Sequence, residues 1–229
     1  MSQYIEGLKS TYGSILRPAA IDFMRSLPDS MFLGTSVFAL FTQSFPLGIL
    51  VLAMLEFTLL HRIFAGTASY IQSGNQESPK DYKCLPGIPS PYQISIIGKL
   101  ISQYIFPSGP IMFVAAVISY TIGSILNFNQ ELKELSQQEP QWNTRIPVSI
   151  TFCCLLLIFY MLWRYNTECD SAINILASAI LGLIVGGIVY LIHVFLFGRF
   201  AINFLGIPIL ADRAAEGRPL YVCAKTKTN

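Results

Sequence analysis

Very few side chains in this sequence are both reactive in type and placed where reactivity would count. Glu56 sits inside a long apolar stretch, five residues before His61, and the second histidine, His193, lies near the end of another such stretch. A carboxylate inside a membrane-length segment is costly and marks a functional site by default. Here Glu56 is only about one and a half helical turns from His61 and Arg62, near enough to reach an interface or to pair with Arg62. That nearness favours a structural role. A Glu/His metal site would need His193 to meet Glu56 or His61 at one interface. Alternating spans put the ends of the first and last on opposite sides, so no such meeting is expected.

Other chemistry is missing. There is no HExxH, no CxxC and no ladder of Asp or Glu at helical spacing. Neither GxSxG nor a phosphate-cradling glycine loop occurs. Cys153 and Cys154 are adjacent within an apolar run and read as small apolar residues. The sequence therefore predicts no catalytic residue, no metal site and no cofactor: a protein that is not an enzyme. The net charge of +2 comes from dispersed Lys and Arg with no basic stripe, so no nucleic acid is expected as a partner.

The elements that must hold these residues are membrane spans. Met31–Leu60 has Glu56 as its sole formal charge, while Ile111–Phe128, Pro147–Trp163 and Ala172–Phe197 have none. About 20 apolar residues of helix cross the ~30 Å hydrocarbon layer. The expected fold is thus an all-α integral membrane protein with about four transmembrane helices plus amphipathic surface helices. Charged residues make up 12% of the chain, against about 25% in a soluble domain, which leaves no material for a separate soluble core. The organisation is an amphipathic, cytosolic N-terminal segment (1–30), a four-span membrane domain (31–197) and a cytosolic C-terminal tail (198–229). No uninterrupted apolar run precedes the first span, so no cleavable signal peptide is expected.

Details of the spans follow from particular residues. Thirty helical residues reach ~45 Å, more than a bilayer needs. With Pro46 near the middle, span one either kinks or starts later, around Ser36 or Thr42; a re-entrant pair of helices is the alternative. Tyr4, Ile5, Leu8, Tyr12, Ile15 and Leu16 recur at helical spacing, as do Ile97, Leu100, Ile101, Tyr104 and Ile105, which predicts two surface helices. Prolines and glycines make 62–92 an extended, turn-rich loop. Trp142, Tyr160, Trp163 and Tyr165 bracket span three as interface anchors. Ser178, Gly182 and Gly186 form a small-xxx-small ladder that predicts close helix packing, within the chain or in a homo-oligomer. In the tail, Leu220, Tyr221 and Val222 read as a short strand that would dock on a partner's sheet edge.

Four spans put the N-terminal segment, 129–146 and the C-terminal tail on one side, with ten basic residues against five opposite. The positive-inside rule then makes both termini cytosolic. Cys84 and Cys169 fall together on the non-cytosolic side, where two thiols tend to pair, whereas Cys153 and Cys154 are in lipid and Cys223 is cytosolic. A disulfide between Cys84 and Cys169 is expected, against the alternative of two free thiols.

The low charge, the multi-pass layout and the tail segment Arg218-Pro219-Leu220-Tyr221-Val222-Cys223-Ala224 resemble uncharacterised membrane proteins of the nucleocytoplasmic large DNA viruses. The resemblance covers the tail motif and the layout alone. It implies a structural component of the internal membrane beneath a capsid, with termini facing cytosol or capsid and with the lipid bilayer and other membrane or capsid proteins as partners. It carries no catalytic residues. Two other readings stand beside this scaffold. One is a small channel or transporter-like protein in which Glu56 and His193 face an internal cavity, which a liposome flux assay separates. The other is a remodelling protein of the endoplasmic reticulum, which curvature-dependent binding of the first surface helix separates.

Overall fold

Pro46 decides where the first span begins. Proline is tolerated in the first turn of a helix, where its missing N–H has no intrahelical partner, and is disfavoured in the interior. In the computed structural model, which describes residues 17–72, 83–88, 95–101, 106–138 and 141–204, Pro46 is the second residue of a helix over Phe45–Gln72. The helix before it covers Arg17–Thr42 and stops at Gln43, whose φ of 49° is left-handed. The stretch Met31–Leu60 is therefore two helices joined at Gln43-Ser44, and the span itself runs Phe45–Tyr70. It also continues a further ten residues into the segment expected to be loop, because Ile63, Phe64 and Ala65 keep it apolar.

In chain order the elements are α1 (Arg17–Thr42), α2 (Phe45–Gln72), α3 (Ile97–Ile101), α4 (Gly109–Asn127), α5 (Asn129–Gln138), α6 (Gln141–Asn166) and α7 (Ala172–Ala201). The described residues are helical and contain no strand. Four of these helices are long and apolar enough to cross a membrane: Phe45–Tyr70, Gly109–Asn127, Ile146–Asn166 and Ala172–Arg199. This is an all-α protein with four membrane-length helices, as the hydropathy pattern requires. The first surface helix and the tail strand lie outside the described residues. The second surface helix is described only as α3, whose apolar face is turned into the bundle: Ile97 and Ile101 are fully buried in the core and Lys99 is exposed.

α4 is the post around which the bundle is built. Its residues Gly109–Ile118 are all buried, and it packs against α2, α6 and α7. By contrast α6 turns most of its surface outward, with Phe152, Leu155, Ile158, Phe159 and Leu162 exposed to what a bilayer would fill. The most extensive pairing is α4 with α7, and the small-residue ladder creates it. A Cβ at Gly182 would strike the carbonyl of Met112 and the Cβ of Ala115, and one at Gly186 would strike the carbonyl of Ala116. The ladder's partner helix is thus α4 of the same chain, and these glycines are spent inside the fold instead of on a second copy. Across the same seam the Ser119 hydroxyl donates to the carbonyl of Leu183 at 2.7 Å, made possible by the short backbone separation.

α1 pairs with α2 as an antiparallel hairpin. Asp29 of α1 bonds to the backbone of α3, and Ile101 at the end of α3 lies against Gly109, the first residue of α4. At the other end of α4, the Asn127 carbonyl accepts from Arg199 of α7. Asp29 and Arg199 therefore sit at opposite ends of the bundle. The sequence expectation had the N-terminal segment on the same side as 129–146. The turn at Gln43-Ser44 overturns it by adding one more leg, about 20 Å of helix from Asp29 to Thr42. With Arg17 and Arg25 moved to the far end, the excess of basic residues that oriented the protein shrinks to eight against seven.

Gly182→Leu or Gly186→Leu should force α7 off α4 and destabilise the fold by about 1–3 kcal/mol or more. Thermal unfolding of the purified protein in detergent measures this, and a parent-like melting curve for both variants would show that the seam does not depend on the glycines.

Candidate functional site

Most of the polar side chains buried by the described bundle gather at the end marked by Ser108, where α2 passes, α4 begins, and α6 turns into α7. Arg164, in the last turn of α6, pairs with Asp170 in the α6–α7 turn, and its Nη1 donates to the Cys84 carbonyl at 3.1 Å. Asp170 also accepts from the Ser108 hydroxyl (3.0 Å) and from Asn174 Nδ2 (3.2 Å). The Ser108 N–H, one of the unpaired donors at the start of α4, is met by Ser178 Oγ at 2.7 Å and Asn174 Oδ1 at 3.2 Å. Ser178 in turn donates to Asn174 Oδ1 at 3.0 Å. Each partner is buried, and each removes a desolvated group that would otherwise cost a few kcal/mol.

The same end is closed covalently. The sulfur atoms of Cys84 and Cys169 lie 2.09 Å apart, at disulfide distance, joining the 83–88 segment to the turn before α7. Asp29 holds the neighbouring α3. Its Oδ1 accepts the N–H groups of Ile96, Ile97 and Gly98 at 2.9, 2.8 and 3.2 Å, the donors that a helix start leaves unpaired. Arg25, one turn earlier, donates through Nε to the Gly87 carbonyl. His61 reaches the Pro107 carbonyl through Nε2 at 3.0 Å, and since a carbonyl only accepts, Nε2 carries the hydrogen.

A second polar group lies inside the membrane layer. Glu56 is eleven residues from the start of its span and fourteen from its end, roughly 16 and 21 Å of helix. It is therefore at the middle of its helix and not near either end. Its carboxylate Oε2 lies 3.1 Å from His193 Nε2, within ion-pair distance although off a good hydrogen-bond axis. His193 Nδ1 is 3.0 Å from the hydroxyl of Tyr120. The expectation that Glu56 and His193 stay apart fails for one reason: span one begins at Phe45, so Glu56 is mid-helix and level with the last third of α7. His193 is 1% exposed and Glu56 37% exposed, so the pair sits at the bundle's surface and not in an internal cavity. Aromatic rings frame it, with Tyr120 edge-on to Phe57 and Tyr190, and His193 edge-on to Phe197.

At the opposite end Arg199 bonds to Glu131 Oε1 (2.8 Å) and to the Asn127 carbonyl (2.6 Å), and its guanidinium carbon stands 5.3 Å from the Phe128 ring centre. Ser124 donates to the Ile202 carbonyl. These contacts tie α4, α5 and α7 together where Gly198, at φ 77°, bends the last helix.

Of the residues singled out from sequence, Cys84 and Cys169 come together, and so do Glu56 and His193. Ser178 serves as a hydrogen-bond partner of α4, and Gly182 and Gly186 as its packing surface. Tyr160 is no interface anchor: it is fully buried against Trp163, on the face of α6 that meets the bundle. Trp163 is half-buried beside Arg164, and Tyr165 is exposed, as an anchor should be. Trp142 opens α6, its side chain outside the described set, and Leu220, Tyr221 and Val222 lie outside the described residues altogether. Sequence reasoning passed over Asp29, Tyr120, Arg164 and Asp170. Arg164 and Asp170 carried a usable signal, opposite charges six residues apart flanking a short turn between two spans.

Among the described residues no three His, Cys, Asp or Glu side chains converge as metal ligands. No family model matches the chain, and no curated protein and no solved structure matches it either.

Arg164→Ala would leave Asp170 buried without its cation, and should destabilise the protein by about 3–5 kcal/mol. Arg164→Lys keeps the charge but lacks the fork that reaches both Asp170 and the Cys84 carbonyl, so it should fall between the two. Thermal unfolding of the three proteins side by side gives the ranking.

Proposed function

We propose that this protein is a non-enzymatic structural component of a membrane, a multi-pass scaffold that other membrane or capsid proteins dock onto. The observation that carries this reading is the mutual matching of the buried polar groups at the Ser108 end. Arg164, Asp170, Asn174, Ser178 and Ser108 satisfy one another and brace three helix ends. Catalytic sites are organised the other way, with polar groups aimed at a space where a substrate sits. The wide outward apolar surface of α6 fits a body meant to be embedded and contacted from its flanks. An internal membrane beneath a viral capsid is the location that the tail motif Arg218–Ala224 suggests.

In this reading the braced end, with Cys84 and Cys169, faces the oxidising side, and the Arg199–Glu131 end faces the cytosol or capsid. The disulfide carries that orientation now that the charge count no longer does. After mild reduction, a membrane-impermeant maleimide should reach Cys84 and Cys169 only from the lumenal side of sealed membranes. Labelling from the cytosolic side would invert the orientation.

The scaffold reading itself is tested in two ways. Reconstituted into phosphatidylcholine vesicles, the protein should release neither potassium ions nor a trapped dye, and steady release of either would favour a channel. Deletion from Gly217 onward should leave insertion intact but lose the neighbours that crosslinking captures in the native membrane. Unchanged neighbours after that deletion would remove the tail from the docking role.

A further inference from the structure

The three side chains Glu56, His193 and Tyr120 come from α2, α7 and α4, and nothing in the bundle's architecture requires them to be ionisable. Leucine at position 56 would continue the row of Leu52, Leu55 and Leu59 without desolvating a carboxylate. Asp29, Arg164, Asp170, Arg199 and Glu131 each cap a helix or brace a helix end. This trio does neither: it lies within the spans, more than a helical turn from any helix end, 3.1 Å and 3.0 Å between successive partners, with one end buried and the other at the protein's outer surface. We infer that Glu56, His193 and Tyr120 form a proton-binding site inside the bilayer, entered from the lipid-facing side at Glu56.

The chemistry follows from charge balance. Within hydrocarbon a net charge is strongly disfavoured, so the carboxyl and the imidazole hold one exchangeable proton between them beyond that of neutral Nδ1–H. It sits on Glu56, beside Nε2, or on Nε2, which gives an ion pair with the carboxylate 3.1 Å away. In both forms His193 Nδ1–H donates to the Tyr120 oxygen, so the phenol fixes the ring's orientation while the proton moves over one short contact. Loss of that proton turns the Tyr120 hydroxyl into the donor to Nδ1 and leaves Nε2–H facing the carboxylate, a net negative site. No atom other than hydrogen changes partner.

The surroundings isolate this site. On α2 the next ionisable groups are His61, which is held by the Pro107 carbonyl, and Arg62, each more than a turn away. On α7 Tyr190 is edge-on to Tyr120, and Arg199 is committed to Glu131 and the Asn127 carbonyl. α4 contributes Tyr120 alone at this level. The donor set also argues for a proton over a metal cation, because hard cations take about six oxygen ligands and only the carboxylate and one phenol oxygen are at hand. This inference does not rest on the scaffold reading, since a bound proton can stabilise or switch a scaffold without being transported.

Dicyclohexylcarbodiimide, a lipid-soluble reagent for protonated carboxyl groups, tests it on the full-length protein in phosphatidylcholine vesicles. Glu56 should be the modified residue by peptide mass. Modification should speed up as pH falls, and it should disappear in Glu56→Gln. His193→Gln should move the pH profile of labelling, and Tyr120→Phe, which keeps the ring packing, should move it less. An intact Cys84–Cys169 disulfide in each variant reports that the fold survives. Failure to modify Glu56 at any pH in the parent would overturn the proposal. So would a pH profile indifferent to His193→Gln in a folded variant, and so would protection of Glu56 by sodium ions, which would make it a cation site instead.

Discussion

Everything in this bundle is arranged around the backbone-to-backbone approach of α7 to α4. Within a bilayer, apolar side chains gain little by leaving lipid for protein, so helices associate through close packing and interhelical hydrogen bonds. Gly182 and Gly186 let α7 lie directly on the carbonyls of Met112 and Ala116, and that short distance sets the position of every other contact along the seam. Above it, Ser178 and Asn174 come within reach of the Ser108 N–H. Below it, His193 comes within reach of Tyr120, and Arg199 of Asn127. One pair of glycines thus registers three polar sites at three depths.

The two ends of the bundle solve the same problem by different means. Helix ends leave backbone donors and acceptors unpaired, and in a protein at a membrane boundary these need partners. At the Ser108 end the partners are side chains, mutually bonded and reinforced by a disulfide whose chain closure spans 85 residues. In the chain-entropy account a loop of that length contributes up to about 4–5 kcal/mol, and Arg164 adds to it by holding the Cys84 carbonyl. At the opposite end a single guanidinium gathers a carbonyl, a carboxylate and an aromatic face, and the helix bends away at Gly198. The first end is braced by a network and a disulfide; the second is held by Arg199 and by the Ser124 bond to the Ile202 carbonyl.

Between them lies a carboxylate on the outer surface of the bundle, mid-way along its helix. Glu56 and His193 belong to helices that run in opposite directions, and they meet because each is placed by a different constraint. Pro46 and the turn at Gln43 set the height of α2, and the glycine seam sets the height of α7. Neither constraint concerns Glu56 itself. A buried, partnered histidine against a half-exposed carboxylate gives the site a closed side and an open side, which is what an exchangeable proton needs.

The sequence alone determined the number of membrane-length helices and the place of the last three, because an uncharged run of sufficient length has few alternatives to crossing a bilayer. Local patterns likewise pointed to the Ser178–Gly182–Gly186 packing face from four-residue spacing, and made Cys84 and Cys169 candidates to pair because their loops share a side, while leaving two free thiols as the alternative. Tertiary structure decided where span one starts, because the choice between a kinked helix and a broken one depends on whether α1 finds a partner, and α2 and α3 supply it. That choice then reversed the side on which α1 begins, moved Glu56 from the interface to mid-layer, and brought it to His193. Tyr160 shows the same limit on a smaller scale: an aromatic residue near the end of a span can anchor at an interface or fill a core. Only the rotation of α6 against the bundle, set by its neighbours, determines which.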